Sequence, residues 1–392
     1  MDKDPIVIVS MARTPQGNLL GILKDFSAPQ LGAHVIKAAV QRAKLAPQDI
    51  QEALIGCVLP AGQGQAPARQ AALGAGLPQT TPCTTINKIC GSGMKAVMLA
   101  HDMIISGSAN IIVAGGMESM TNAPYLLPKI RPGYRLGHRE VFDHMLLDGL
   151  EDAYDKNQPM GYFANLYAKE QGFSRAAQDA YALSSFERAQ KAIREQAFSA
   201  EIAPLTHPTS SSFIDTDERP FSVDLAKMPH LPPVFSKQGT ITAGNSSAIS
   251  DGAAALILMR LSEAKKRGIT PLARIIGHHS CAKAPSEFPS APIDAIPQLL
   301  QKIQWGIEQV DLFEINEAFA AVILGVMKTL PIPRDKINIH GGACALGHPI
   351  GASGARILVT LLAALQQTKL TRGIATLCIG GGEATAIAIE RM

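Results

Sequence analysis

The chain is written twice. The stretch from Leu45, LAPQDIQEALIGCVL, has a counterpart from Trp305, WGIEQVDLFEINEAF, with Ile50 matching Val310 and Ile55 matching Ile315. Gly91-Ser92-Gly93-Met94-Lys95 pairs with Ala352-Ser353-Gly354-Ala355-Arg356, and Gly115-Gly116-Met117-Glu118 with Gly380-Gly381-Gly382-Glu383. The separations run from 260 residues (Ile50 to Val310) to 265 (Gly115 to Gly380), the drift that small insertions leave in a duplicated unit. A chain of 392 residues also exceeds the ~250–300 at which one core stops growing. Two copies of one folding unit satisfy both constraints.

Each copy alternates strand-like and helix-like patterns. Ile6–Val9, Ala53–Leu59 and Asn110–Ala114 are short apolar runs closed by Gly or Pro, the pattern of buried strands. Leu31, Val35, Ile36, Ala39, Val40 and Ala43 recur at helical spacing, as do Met94, Val97, Met98, His101, Ile104 and Ile105. The alternation predicts α/β layers with sheets covered on both faces. The copies begin near Pro5 and Pro271, and residues from about Ser119 to Ser247 have no repeat mate. The expected organisation is therefore a first half at 1–118 and 249–270, an inserted segment at 119–248, and a second half at 271–392. Within the insertion a helix is predicted from a cap at Ser174 to about Phe198.

Composition narrows the function classes. Only 18% of residues are charged against 46% hydrophobic, and the net charge is +3. With no long basic run, nucleic acid and membrane partners are not expected. The segment MDKDPIVIVSMARTP fits neither a signal nor a transit peptide, and runs such as Ile357–Leu365 are shorter than the ~18 apolar residues a bilayer span requires. Six scattered cysteines without a CxxC pair imply neither a disulfide scaffold nor a zinc ribbon, and point to a reducing, cytoplasmic setting. The low charge predicts that the shared interior is the least charged part of the molecule, with charge concentrated in the insertion.

Four residues carry candidate chemistry. Cys90, in NKICGSGMKA, precedes a predicted helix; the helix dipole would lower its pKa and make it a nucleophile, or it is a small buried residue at a tight turn. His348, in GGACALGHPIGASGAR, is a candidate base for such a thiol, or an imidazole satisfying loop carbonyls. Cys378 ends an apolar strand before three glycines, as a second acid/base or a core cysteine; Asn316 in EINEAFAA orients a water or carbonyl, or caps a helix. Scaffold residues should recur between copies, whereas chemistry need not. Cys90 pairs with Gly351, His348 with Asn87, Cys378 with Val113 and Asn316 with Gly56, so all four are unmatched.

These motifs, together with VAGGMESM at Val113–Met120 and CIGGGEA at Cys378, resemble the thiolase family in order and spacing over essentially the whole chain, and most closely its acetyl-CoA C-acetyltransferase branch. The resemblance implies a five-layered αβαβα fold with an inserted loop domain that binds coenzyme A. It implies a reversible Claisen condensation of two acetyl-CoA to acetoacetyl-CoA and CoA. Cys90 would carry the acyl group, His348 would activate it, and Cys378 would move the α-proton. His348 and a water on Asn316 would form one oxyanion hole, and the N–H groups of Cys90 and Gly380 the other. Ser247 and Leu150 would contact the CoA thioester, Met160 and Phe319 would line the acyl pocket, and Arg219 or the cluster Lys129, Arg131, Arg135 and Arg139 would meet its phosphates. The implied assembly is a homotetramer, a dimer of dimers, with no metal and no prosthetic group.

Two stretches expected to line the acyl cavity, one at residues 159–165 and one at Phe288, depart from the short-chain pattern. Pro159 stands where many members carry histidine, Phe163 and Asn165 replace a threonine and a glutamate, and Phe288-Pro289 replaces a Met-Gly loop. These make a 3-ketoacyl-CoA thiolase of fatty-acid β-oxidation, acting on longer chains, the alternative. A decarboxylating ketoacyl synthase fits less well with a glycine-flanked Cys378, and a non-catalytic acyl-CoA or lipid carrier would be expected to lose Cys90 or His348.

Overall fold

The computed structural model describes residues 4–210 and 212–392. The first three residues of the expected first half, and of the segment MDKDPIVIVSMARTP, lie outside the described residues, as does one position of the insertion. The first half contains β1 (Ile6–Arg13), α1 (Ala28–Arg42), β2 (Glu52–Gly56), α2 (Pro67–Gly74), β3 (Cys83–Ile86), α3 (Ser92–Ser106) and β4 (Ile111–Ser119). The chain then leaves the sheet for an excursion containing α4 (Met160–Gln171) and α5 (Arg175–Arg194), and returns as β5 (Ser250–Arg260). The second half follows with β6 (Ala273–Ala282), α6 (Ala291–Ile303), β7 (Leu312–Ile315), α7 (Ala320–Thr329), α8 (Ile350–Thr368), β8 (Arg372–Ile379) and β9 (Glu383–Arg391).

Strand order exposes the duplication directly. The sheet path runs β7-β8-β9-β6-β1-β5-β4-β2-β3, so β2, β4, β5 and β1 of one half mirror β7, β8, β9 and β6 of the other. The pairing types match too. β2 and β7 are parallel to β4 and β8, β3 is parallel to β2, and the other pairs within each half are antiparallel. The edge strand of the second half shrinks to a single parallel bridge between Phe313 and Ile337, where the first half has all of β3. The two half-sheets are not separate: Val7 and Ile8 of β1 pair with Arg274 and Ala273 of β6, joining them at one corner. Where β8 turns into β9 through Gly380–Gly382, with φ of 93° at Gly381 and 87° at Gly382, the first half instead opens into its 130-residue-scale excursion between β4 and β5.

Five layers result. Val7, Val9, Ile111, Val113, Ala255 and Ile257 face α1 and α2 on the outside, and the alternate residues Ile6, Ile8, Ile112, Ala114, Leu256 and Leu258 face inward on α3 and α8. The opposite half-sheet places Leu377, Ile387 and Ile389 on the same central helices and Ile374, Ala386 and Ala388 against α6 and α7. Period-2 strands thus bury both faces, which is why they read as continuous apolar runs. Helix α8, with 16 of its 19 residues buried, is long and apolar enough to cross a membrane by length and composition; it is the central core helix, and the short apolar run read from the sequence understated its length.

The insertion is fixed to the scaffold by buried charge. Arg13 of β1, fully buried, donates to Glu201 at 2.6 Å and to Asp217 at 2.7 Å, both in the excursion and both buried. Arg356 on α8, Glu314 on β7 and Glu118 on β4 are buried as well. The interior, expected to be the least charged part of the molecule, thus holds several charges of its own, because a low total count says nothing about where the few charges sit. Helix α5 starts at its predicted cap, Ser174 accepting from Ala177 N–H at 3.1 Å, but stops at Arg194 rather than near Phe198, since Gln196 adopts a φ of 56°.

The central helices touch backbone to backbone. A Cβ on Gly354 would lie 2.5 Å from the Met94 nitrogen, and one on Gly93 2.9 Å from the Ala355 nitrogen. Gly354→Ala should therefore destabilise the protein by about 1–3 kcal/mol despite the better helix propensity of alanine. Urea unfolding measures this; a midpoint equal to or above the wild type's would show that the crossing is not limiting.

Candidate active site

The N-terminal ends of α4 and α8, the loop before α7 and the segment leading into β5 surround a cavity of about 480 Å³. Its walls include Leu150, Met160, Arg219, Ser247, Phe319 and His348, six of the residues singled out from sequence. Cys90, Cys378, Asn316 and Gly380 cluster behind this lining. Cys90 packs with Met120 and Ile350, which both face the cavity, and Gly380 sits with its α-carbon face toward Met160 and Ile89.

Cys90 is presented by an uncommon backbone. Ile89, a β-branched residue, has a φ of 44°, and Gly91 then begins α3. Ser92 Oγ accepts from Lys88 N–H at 2.8 Å and donates to Ile89 O at 2.6 Å, closing the turn. The N–H groups of Gly380 and of Cys90 itself both point at the Cys90 sulfur. Burial outweighs these donors and pushes the thiol up to about 11, so the lowered pKa expected from the helix N-terminus is not what the fold produces. Cys378, at the end of β8 and 1% exposed, is also pushed up, by burial first and then by the nearness of Cys90.

His348 is buried and directional. Its Nδ1 lies 2.5 Å from Ser353 Oγ, and Ser353 donates its one hydroxyl proton to Pro349 O at 2.9 Å. The network therefore assigns the proton to Nδ1 and leaves Nε2 as an acceptor, which Asn316 Nδ2 approaches at 3.4 Å. Burial, and then Arg356, lower the imidazole to about 3, which keeps it neutral. Asn316 is not a helix cap: α7 is capped at Phe319, three residues on, and Asn316 N–H bonds Thr376 O at 3.0 Å. Its amide faces the imidazole, with Oδ1 bonded to no donor among the described residues.

Three carboxylates that the motif reading passed over hold this arrangement. Glu317 accepts from Tyr181, Ser185, Asn338 and the Cys344 N–H, which pins the strand end carrying Asn316. Glu118 accepts from Val58 N–H and Gly351 N–H, both at 2.9 Å, tying the first half to the first turn of α8. Glu383 pairs with Lys88, tying the second half to the turn before Cys90. Glu118 and Glu383 are repeat mates, so their matched positions were the available signal.

Other expectations are corrected. Phe288 does not line the cavity: it is 2% exposed and stands behind Phe319, ring centroids 6.4 Å apart. Phe163 is core, and Asn165 Oδ1 accepts from Thr240 and Ile241 N–H, so neither faces the cavity; Pro159 does. Lys129, Arg131, Arg135 and Arg139 are exposed on the 120–142 loop and absent from the cavity wall, whereas Arg219 lines it with Nε on Cys344 O and Nη2 on Ala243 O. Phe235, unremarked in the sequence, lines the cavity and stacks edge-on to Phe319 at 6.2 Å. Among the described residues, His101, Asp102 and His278 form a separate cluster of metal-ligating types; one Asp102 oxygen contacts both imidazoles, which ties α3 to β6.

Comparison with known proteins places the chain by family and by fold. The family description "Thiolase, N-terminal domain" matches residues 6–262, and "Thiolase, C-terminal domain" matches residues 269–391. The acetyl-CoA acetyltransferase of Escherichia coli K12 is 50% identical over 390 residues, covering 98% of this chain and 99% of that protein. The acetyl-CoA acetyltransferase of Schizosaccharomyces pombe is 45% identical over 391 residues, covering 99% of each. The structure of the Acat5 thiolase from Ascaris suum in complex with coenzyme A superimposes with a TM-score of 0.94 at 39% identity, covering 99% of this chain and 100% of that one.

A thiol raised to about 11 is protonated throughout the neutral range. Alkylation of Cys90 by iodoacetamide should therefore rise about tenfold per pH unit from pH 7 to 9. A rate that levels off at or below pH 8 would contradict the dominance of burial.

Proposed function

The chain belongs to the thiolase family, and from that premise we propose that it is an acetyl-CoA C-acetyltransferase, joining two acetyl-CoA into acetoacetyl-CoA and CoA in a reversible Claisen condensation. The observation that carries the reading is the convergence of one thiol under two backbone N–H groups, a buried neutral imidazole and a second buried thiol at the inner end of one apolar cavity.

Cys90 Sγ attacks the acetyl carbonyl while its proton passes to His348 Nε2, the free acceptor. Because burial opposes a lone thiolate and a lone imidazolium, forming both charges together is the favourable route. The C–S bond to CoA breaks, and the departing thiolate takes the proton of Cys378, which its environment keeps as a thiol at rest. The acetyl group is now on Cys90. The Cys378 thiolate removes the α-proton of a second acetyl-CoA, and the enolate oxygen is held by the His348 imidazolium and a water on Asn316. The α-carbon attacks acetyl-Cys90, whose developing oxyanion lies under the Cys90 and Gly380 N–H groups. Collapse releases acetoacetyl-CoA, and His348 returns its proton to the Cys90 sulfur. Cys378 keeps the α-proton, so protons balance over the cycle.

Ser247, Leu150 and Arg219 would contact the pantetheine and phosphate portions, and Phe319, backed by Phe288 and flanked by Phe235, would cap the acyl end. That aromatic wall supports a short acyl group over the longer-chain alternative. No metal or prosthetic group enters this chemistry. The reading includes the cytoplasmic setting drawn from cysteine usage and a homotetramer, supported by Leu127, Ile130, Leu136 and Val141, all exposed on the 120–142 loop.

Cys378→Ala should still be acylated by acetyl-CoA yet lose at least ~100-fold in α-proton exchange; exchange at the wild-type rate would remove Cys378 from the mechanism. Thiolysis across 3-ketoacyl-CoA chain lengths should peak at four carbons. A maximum well beyond that would replace the acetoacetyl-CoA reading with the longer-chain one.

A further inference from the structure

The serines that begin the two central helices occupy equivalent places in the repeat. Ser92 pairs with Ser353, Lys88 with Pro349 and Asn87 with His348, each 261 residues apart. In the first half Ser92 Oγ accepts from the Lys88 backbone N–H. In the second half the matching residue is Pro349, which has no N–H to give. Ser353 still donates within its own turn, to Pro349 O at 2.9 Å where Ser92 donates to Ile89 O, but its acceptor side is released. The imidazole of His348, the very next residue upstream, fills it through Nδ1 at 2.5 Å.

We propose that Pro349 and Ser353 together are positioning residues for His348: the proline removes the competing backbone donor, and the serine, a scaffold residue put to a second use, fixes the Nδ1–H tautomer and aims Nε2 at the thiol. The geometry leaves little freedom. Ser353 is fully buried on α8, its single proton is committed to Pro349 O, and so its oxygen can only accept from the imidazole. A neutral hydroxyl orients the ring while stabilising the imidazolium less than a carboxylate in that place would. That lets His348 return its proton readily. The proposal rests on the reading of His348 as the base for Cys90.

The test is a double-mutant cycle on the rate of Cys90 acylation, followed as CoA release in the first turnover after mixing with acetyl-CoA. Ser353→Ala should lower that rate by ~10–100-fold, the usual effect of removing a group that orients a reactive histidine, with KM changed less than about twofold. Pro349→Ala, which restores a backbone donor to compete for Ser353, should lower it in the same direction by a smaller factor. In a His348→Ala background both substitutions should have no further effect. Thermal unfolding identifies folded variants, and Pro349→Ala carries the test if Ser353→Ala fails to fold. Equal losses with and without His348 would make both residues merely structural and overturn the proposal, as would unchanged acylation in the single variants. If His348→Ala alone acylates at the wild-type rate, the base reading fails first and the proposal falls with it, an outcome distinct from the others.

Discussion

The close crossing of α3 and α8 is the constraint on which the rest depends. Each helix begins at one of the two reactive loops, Cys90 before α3 and His348 before α8, so the separation of the helix backbones sets the separation of the chemistry. Glycines make the crossing possible. Side chains at Gly93 or Gly354 would meet the opposite backbone, and one at Gly116 would lie 2.0 Å from Gly351 O. Dispersion and burial across the central layer then hold the halves together, with Leu358, Leu361, Leu362 and Leu365 on one side and Met94, Val97 and Ile104 on the other.

Duplication supplies this arrangement, and divergence supplies the chemistry. Each half sends the glutamate that follows its glycine run into the other half's loop: Glu118 to Gly351 N–H, Glu383 to Lys88. The glutamates are equivalent in position and their contacts differ in kind, one a buried carboxylate on backbone donors, the other a partly exposed ion pair. The glycine turn after β8 is tight in the second half, where it supplies the Gly380 N–H. In the first half the same point opens into the excursion whose α4 and following segments wall the cavity. One copy thus contributes the nucleophile and most of the binding walls, and the other contributes the imidazole, the second thiol, Asn316 and the Phe319 wall.

Much of this was legible in the sequence, and the reasons for the rest are physical. Repeat matching and apolar period placed the strands and central helices, because buried two-faced strands and a glycine-seamed helix pair leave strong local patterns. Cys90, His348, Cys378 and Asn316 stood out because they break the repeat. Charge placement did not follow: Arg13, Glu201 and Asp217 are distant in sequence and meet only once the insertion folds back on β1. The thiol's direction of shift was misread for a similar reason, since a helix N-terminus is visible in the chain and burial is not. Phe163, Asn165 and Phe288 stand near the acyl pocket without facing it, which order along the chain does not reveal, whereas Phe235 reaches it from a loop without a motif.

Acetyl transfer to Cys90 is the central claim, and it can be read without altering the protein. After incubation with acetyl-CoA alone, rapid acid quench and proteolysis at low pH, mass spectrometry should find one acetyl group, labile to hydroxylamine as a thioester, on the peptide carrying Cys90. An acetyl group on the peptide of Cys378 instead, or none on any cysteine while CoA is being released, would contradict the account.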